Sequence, residues 1–360
     1  MSTASSHTPL PSAHTFGGSG DPRMWDVTRA VRSWWDKHGQ PADLCVALSG
    51  GADSLALTAG AIRTGAAVTA LVVDHQLQPG SAQVAAHAAQ QARELGCVDA
   101  QVITIQVTDP AKMGMEAAAR SARYGALDQH RAGRPVLLGH TQDDQAETLL
   151  LGLIRGSGPR AIAGMPEWSE PWGRPLLQLS RATTHAACAE HSIDYWDDPQ
   201  NEDPRFTRVR VRHELLPLLQ DIAQADVTPA IARSAELVAQ DTRYLDHLAS
   251  GVLTDKVGST HASSAPSTDP TSTCPAPSAL TVLGLHDLPT PLLSRVVRHW
   301  VQQCGGDDTS ELNYVQLQEI QRLITHWKGQ GPVALPGDTR VARHKNKLIF
   351  LPKNDEKLGK

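Results

Sequence analysis

The chain has 360 residues, 40% of them hydrophobic and 20% charged, with a formal net charge of −5. This length allows two or three domains, and the negative charge argues against a uniformly basic nucleic-acid coat, so a polyanion would have to bind a local patch. No apolar run approaches the roughly 18 residues of a membrane span, and the N-terminus lacks the basic start and apolar core of a signal peptide. The five cysteines include no Cys-x-x-Cys pair, which argues against a disulfide framework or a closely spaced thiolate metal site. We expect a cytoplasmic protein with no membrane partner.

The first part of the chain alternates short apolar runs with amphipathic or alanine-rich segments. This alternation predicts an α/β fold, in which helices cover both faces of a parallel sheet. We predict a disordered tail over residues 1–22 and a domain over residues 23–219. The predicted strands span 44–48, 68–73, 102–107 and 136–138, and the predicted helices span 24–37, 53–64, 81–95, 115–131 and 143–154.

The remainder of the chain predicts a second, smaller and mostly helical region, formed by residues 220–254 and 281–330. A Ser/Thr/Pro-rich stretch, residues 255–280, separates its two parts and is predicted to be a disordered linker. We predict that residues 331–360 form a basic, β-like C-terminal tail. Residues 321–360 contain nine Lys or Arg and three acids, nine minus three or +6, which suggests a patch that faces nucleic acid. A tail that only increases solubility is the alternative.

A glycine-rich loop follows the first predicted strand and opens a helix. Its residues are Ser49, Gly50, Gly51, Ala52, Asp53 and Ser54. Backbone N–H groups and the helix dipole meet at such a junction and favour an anion. Asp53 has the wrong sign for phosphate unless Mg²⁺ lies between them, and the loop lacks the lysine and spacing of a Walker A motif. The alternative is an ordinary strand-to-helix turn capped by Ser49 or Asp53.

A second polar cluster follows the strand predicted at 136–138. It contains His140, Asp143, Asp144 and Glu147. Glu147 lies four residues after Asp143 and three after Asp144, so the three acids project from adjoining parts of one helical face. Such carboxylates would hold Mg²⁺ or receive a cationic substrate. The alternative is a helix cap, since Thr141 and Asp144 have the spacing of a capping box.

Both clusters carry a family resemblance. Residues 49–54 resemble the S-G-G-x-D-S pyrophosphate loop of the PP-loop ATPases, and GHTQDDQAETLLLGLIRGSG resembles the G-H-x-x-D-D-x-x-E-T-x-L…R-G-x-G signature of the tRNA(Ile)-lysidine synthase family. Further matches lie at residues 73–77 (V-D-H-x-L), 116–124 (E-x-x-A-R-x-x-R-Y), 174–177 (R-P-L-L) and 195–217. The resemblance covers about residues 44–220. Gln78, Gln200 and Val209 depart from the usual Arg, Ser and Asn of the family pattern.

The resemblance implies an enzyme that joins L-lysine to the wobble cytidine of an isoleucine tRNA with a CAU anticodon, using ATP to adenylate the cytidine. It implies that residues 49–54 bind the triphosphate and that Asp53 holds Mg²⁺ at the pyrophosphate. Arg120 or Arg123 would pair with phosphate or with the RNA backbone, and His140 would contact the phosphate or the base. Asp143, Asp144 and Glu147 would hold the lysine ammonium groups or a metal, and one carboxylate would act as base. For both arginines the alternative is a solvated helix face.

An arginine-rich segment adds a candidate tRNA contact. Arg205, Arg208, Arg210 and Arg212 lie in RFTRVRVRH, where alternation in an extended segment would place the basic side chains on one face. A solvated or salt-bridged face is the alternative. By resemblance alone, the helical region after residue 220 would recognise the tRNA body.

Two other functions are alternatives to lysidine formation. A PP-loop enzyme that thiolates tRNA would need cysteine sulfur chemistry, and no cysteine lies in either motif. A non-catalytic tRNA-binding relative would be expected to have lost Asp53 or the acidic cluster, and both are present. The oligomeric state stays open, with a homodimer as one candidate.

Overall fold

The computed structural model describes residues 22–76, 78, 80–106, 115–156, 158–257, 279–305 and 312–351. The chain divides into two compact units, residues 1–237 and 238–360, called here the first and second units. The predicted tail (1–22), except Pro22, and the central part of the predicted linker (258–278) lie outside the described residues, as do residues 352–360.

The first unit alternates strands and helices as the sequence predicts. Its sheet has the order β3-β2-β1-β4-β6-β5, with parallel pairing except between β5 and β6. The α/β fold class is confirmed. The elements are α1 (Pro22–Lys37), β1 (Asp43–Ala47), α2 (Ala52–Ile62), β2 (Ala67–Asp74), α3 (Ser81–Leu95), β3 (Asp99–Thr104), α4 (Met115–His130), β4 (Val136–Leu138), α5 (Gln142–Ile154), α6 (Pro159–Ile162), β5 (Trp168–Ser169), β6 (Trp172–Gly173) and α7 (Arg181–Glu190).

The apolar strands are buried because helices cover both faces of the sheet. On one face, Leu44 and Val46 of β1 pack in a cluster with residues of α1, α2, α3 and α7, including the fully buried Trp34. On the other face, Cys45 packs with Leu127 of α4. The period of two along β1 therefore divides its side chains between two cores.

The segment with alternating arginines is helical, so the prediction of an extended strand is wrong. Helix α8 (Thr207–Arg210) runs through a π-helical turn, Val211–Leu215, into α9 (Leu216–Ala223). Its apolar residues Val211 and Leu216 pack against α5. A helical spacing of 3.6 residues replaces the spacing of two, so Arg208 and Arg212 share one face.

The second unit combines helices with an antiparallel sheet of order β7-β10-β9-β8. Its core surrounds the fully buried Trp300 and Ile320. The long helix α10 (Thr228–Val257) enters this unit at residue 238, and the described part of the predicted C-terminal tail forms three of the four strands. The other elements are β7 (Ala279–Thr281), α11 (Thr290–Gly305), α12 (Tyr314–Thr325), β8 (Val333–Ala334), β9 (Arg340–His344) and β10 (Lys347–Leu351). Among the described helices, none is long and apolar enough to cross a membrane.

Candidate active site

The glycine-rich loop joins the end of β1 to the start of α2. Gly50 adopts a left-handed backbone conformation (φ +84°), and Gly51 is the N-cap of α2. The two serines brace the loop: Ser54 Oγ donates to the Gly51 carbonyl (2.9 Å) and accepts from Ser49 N (3.2 Å). The loop therefore presents the N-terminus of a buried helix, the geometry that favours an anion.

The second cluster begins where β4 ends, directly beside this loop. A Cβ atom at Gly139 would lie 3.1 Å from the carbonyl carbon and oxygen of Asp53 and 3.1 Å from Ser54 N. Because β1 and β4 are parallel neighbours, their carboxyl ends bring the two motifs to one edge of the sheet. The absence of a side chain at Gly139 permits this approach.

Arg181, the first residue of α7, connects the two motifs. Its guanidinium lies 3.6 Å from Asp53 Oδ2, 3.1 Å from Asp144 Oδ1 and 3.5 Å from Glu147 Oε1. Its backbone N–H donates to Asp143 Oδ2 (2.7 Å). All four carboxylates predicted from the sequence therefore contact Arg181. Sequence reasoning missed Arg181.

Asp53 is held by side chains of α7. The Thr184 hydroxyl donates to its Oδ1, while Oδ2 faces Arg181. These contacts contradict the alternative in which Asp53 only caps α2. Burial raises the pKa of Asp53, an effect that the Thr184 hydrogen bond and the positive charge of Arg181 oppose and the charge of Asp144 reinforces.

Asp144 serves both as a helix cap and as part of the site. Its Oδ2 accepts from Thr141 N (2.8 Å) and Thr141 Oγ1 (3.1 Å), so the predicted capping box is present. Its Oδ1 remains directed at Arg181. Burial acts to raise the pKa of Asp144, but Arg181, His140 and the Thr141 N–H together hold it below its usual value.

Glu147 is fully buried and binds arginines from two other helices. Arg212 donates to both of its oxygens, with Nε 2.7 Å from Oε1 and Nη2 3.2 Å from Oε2. Arg208 Nε lies 3.4 Å from Oε2, and its Nη2 donates to Thr148 Oγ1 (2.9 Å). Two of the four arginines predicted to bind tRNA therefore face the acidic cluster.

The other two arginines lie at the surface. Arg205, with a side chain 86% exposed, pairs with Asp203 at 2.6 Å. Arg210 pairs with Glu214, one helical turn away, at 2.8 Å. The salt-bridged alternative thus describes these two side chains, which remain accessible from solvent.

His140 and Arg120 lie on the side of the site formed by α4. Burial lowers the pKa of His140 to about 3, against the attraction of Asp144 and with help from Arg174, Arg123 and Arg120. Its Nδ1 is buried and, among the described residues, has no hydrogen-bond partner. Arg120 is exposed, and it donates to the Tyr124 hydroxyl (3.2 Å) and stacks over that ring. It acts on His140 through its charge.

Comparison with known proteins decides the family. The sequence matches the PP-loop domain over residues 26–219 and the TilS substrate binding domain over residues 280–349. It is 46% identical over 323 residues to the tRNA(Ile)-lysidine synthase of Rhodococcus jostii, covering 90% of this chain and 92% of that one. It is 50% identical over 310 residues to that of Mycobacterium tuberculosis strain H37Rv, covering 85% and 90%. The chain belongs to the tRNA(Ile)-lysidine synthase family.

Because members of this family are ATP-dependent ligases, the first unit is expected to contain a site for ATP. A cavity of about 320 Å³ opens beside Ser49. The ends of strands β1 and β2 form one side of it, and helix α4 forms another. Its wall includes His75 and Arg123, whose Nδ1 and Nε atoms are buried and unpaired among the described residues. Trp196 also lines it and donates its backbone N–H to the Gly50 carbonyl (3.0 Å). Sequence reasoning quoted Asp74-His75 as a motif but assigned it no role, and Trp196 gave no separate signal.

The predicted magnesium site fits the chemistry of the residues present. Among the described residues, no group of three or more His, Cys, Asp or Glu side chains could hold a metal by itself. Mg²⁺ at phosphates, however, is usually held by one or two carboxylates and the substrate's own oxygens. Asp53 and Asp144, which lie on either side of Arg181, supply such carboxylates.

Proposed function

We propose that this chain joins L-lysine to the wobble cytidine of an isoleucine tRNA with a CAU anticodon, through an adenylated cytidine. The observation that carries the proposal is the meeting of the phosphate loop and the acidic cluster at Arg181, in a member of the tRNA(Ile)-lysidine synthase family. The cytosine carbonyl oxygen is a poor leaving group, so its adenylation lets an amine replace it. On this proposal the chain works together with its tRNA substrate in the cytoplasm.

ATP would lie along the edge of the sheet. The cavity beside Ser49 has room for the nucleoside, with His75 and Arg123 as polar contacts. The triphosphate would follow the loop towards Gly50, Gly51 and the N-terminus of α2, whose N–H groups and dipole stabilise negative charge. Asp53, with Asp144, would hold Mg²⁺, which supplies positive charge at the phosphates.

His140 is suited to act as an uncharged hydrogen-bonding group. Because its pKa lies near 3, the imidazole is uncharged at neutral pH and offers a hydrogen bond without adding charge. Its position between Asp144 and the arginines of α4 would allow it to orient the cytosine or the transferring phosphate. We assign Arg120 to the same end of the site, where its charge would stabilise the phosphate, and keep Arg123 as a contact of the nucleoside.

The carboxylates divide into two groups. Glu147 is fully buried and paired at both oxygens, so we assign it to positioning Arg212 and Arg208. Asp53, Asp143 and Asp144 all contact Arg181, and the first two are partly exposed, so this group would hold the metal and receive the lysine amine. The attacking amine must lose a proton, and Asp143, which is partly exposed and takes no part in holding the metal, is our choice as acceptor.

The test is incubation of the full chain with ATP, ¹⁴C-labelled lysine and the CAU-anticodon isoleucine tRNA. We expect label in the RNA and release of AMP and pyrophosphate. An Asp53→Asn variant should bind the tRNA but release pyrophosphate far more slowly. A chain that leaves lysine free, but incorporates sulfur when a cysteine-derived donor is supplied, would instead be a tRNA-thiolating enzyme. Binding of tRNA without consumption of ATP would point to a non-catalytic relative.

A further inference from the structure

The guanidinium of Arg181 occupies a position between the two motifs that suits a substrate cation. It faces Asp144 Oδ1 at 3.1 Å and Asp53 Oδ2 at 3.6 Å. The second oxygen of each carboxylate is already engaged: Asp144 Oδ2 by Thr141, and Asp53 Oδ1 by Thr184. The oxygens that face Arg181 are therefore the ones each motif can offer to a ligand.

Glu147 behaves differently from these two carboxylates. Both of its oxygens pair with Arg212, so it would keep its main partner if Arg181 moved away. Asp144 Oδ1 has a more distant second partner, Arg212, at 4.0 Å. Movement of Arg181 would thus uncover one oxygen in each motif and leave the buried part of the network in place.

The start of α7 does not depend on the Arg181 guanidinium. Asp143 accepts from the Arg181 backbone N–H at 2.7 Å, Thr184 binds Asp53, and Ser180 caps the helix. The Arg181 side chain is 20% exposed, so it has a route to solvent. The helix can stay in place while the side chain changes rotamer.

We propose that Arg181 is a displaceable counter-cation, which neutralises Asp53 and Asp144 before the substrates bind and withdraws when a substrate cation takes its place. Arg181 is then a positioning residue that sets the affinity of the site for cations. The inference rests on the proposed function for the identity of the cation, either the divalent ion that accompanies ATP or the ammonium group of lysine. Both would compete with the guanidinium for the same two oxygens.

The test compares Arg181→Gln with Arg212→Gln. Each variant removes one positive charge from the same cluster, but only the first uncovers Asp144 Oδ1 and Asp53 Oδ2. In the presence of α,β-methylene ATP, Mn²⁺ binding is measured by electron paramagnetic resonance, and L-lysine binding by calorimetry. We expect Arg181→Gln to bind at least one of the two cations about tenfold more tightly than the wild type, with a smaller gain in Arg212→Gln.

The two titrations separate the sources of the cation. A gain for Mn²⁺ alone identifies the metal as the competitor, and a gain for lysine alone identifies the ammonium group. Equal cation affinities in the two variants overturn the proposal, because the gain would then come from the loss of any nearby positive charge. An Arg181→Gln variant with no gain in affinity also overturns it. If Arg181→Gln does not fold, Arg181→Lys keeps the charge on a shorter side chain. An intermediate gain is expected from it, and wild-type affinity overturns the proposal.

Thermal unfolding supplies a second measurement that does not depend on catalysis. Added Mn²⁺ with the ATP analogue should raise the melting temperature of Arg181→Gln more than that of the wild type, because tighter binding to the folded state stabilises it. Neither titration contains tRNA. A wild-type chain that forms no lysidine therefore refutes the proposed function and leaves the affinity comparison readable, whereas lysidine formation with unchanged affinities refutes only the role of Arg181.

Discussion

Arg212 binds both carboxylate oxygens of Glu147, at 2.7 and 3.2 Å, although Glu147 has no solvent exposure. The pair joins helix α5, which carries the acidic cluster, to the helical segment 207–223. A buried charge is costly unless it is paired and hydrogen-bonded, so the two helices depend on each other at this point.

Replacement of Glu147 by Gln should therefore destabilise the first unit. The change removes the negative charge that compensates Arg212 and Arg208, and breaking a buried pair in this way costs about 3 kcal/mol. Urea denaturation followed by circular dichroism measures the loss. Glu214→Gln, which breaks the exposed pair with Arg210, is the matched control and should have a much smaller effect. Equal losses in the two variants would contradict the importance of burial.

Gly139→Ala should separate the phosphate loop from the acidic cluster. The new Cβ atom would lie 3.1 Å from backbone atoms of Asp53 and Ser54, closer than such atoms can comfortably approach, so one strand end must shift. Because small displacements of reacting groups are costly, we expect pyrophosphate release to fall by about 100-fold. Gly125→Ala on α4, where a Cβ atom would have no neighbour within 4 Å, should retain activity. Full activity in Gly139→Ala would show that the loop tolerates the shift.

The buried His140 predicts a loss of stability in mild acid. Burial lowers its folded-state pKa to about 3, whereas an unfolded histidine takes up a proton near pH 6.5. Between these values the unfolded state binds more protons, so stability falls as the pH falls. From pH 6.5 to about 5.5 the contribution of His140 is about 1 kcal/mol. His75, whose pKa burial also lowers, acts in the same direction.

The measurement is the free energy of unfolding at these two pH values. His140→Gln should lose about 1 kcal/mol less than the wild type on acidification, because it lacks the group that resists protonation. The exposed His87→Gln on α3 is the control for removal of an imidazole. If His140→Gln kept the pH dependence of the wild type, His140 would take up its proton at the same pH in the folded and unfolded chains.

The sequence predicted the sheet and both motifs because their signals are local. Apolar runs such as residues 44–48 and the spacing of Asp143, Asp144 and Glu147 can be read within a few residues. Arg181 and Thr184 carry no such pattern. They reach Asp53 only because α7 returns to the edge of the sheet about 130 residues later, a long-range consequence of chain topology.

The arginine segment illustrates a conflict between two periodicities. Alternation of Arg208, Arg210 and Arg212 indicated a strand, but Val211, Leu216 and their apolar neighbours bury one side of a helix. Packing against α5 outweighs the alternation. In a helix, the same spacing places Arg208 and Arg212 one turn apart, where both face Glu147. A helical interpretation of the sequence would have predicted that these two arginines share a face.

The basic residues near the C-terminus predict a measurable salt dependence of tRNA binding. Lys345 and Lys347 are exposed on the β9–β10 hairpin, in the unit that matches the TilS substrate binding domain. A Lys345→Gln/Lys347→Gln double variant should bind tRNA more weakly and reduce the slope of log K against log salt by about one for each phosphate that is no longer neutralised.

Arg343→Gln is the contrasting control, because Arg343 donates to the Leu323 carbonyl (2.6 Å) and stacks over Trp327. It should lower the stability of the second unit and leave the slope unchanged. A double variant with the wild-type slope would favour the alternative in which these lysines only increase solubility.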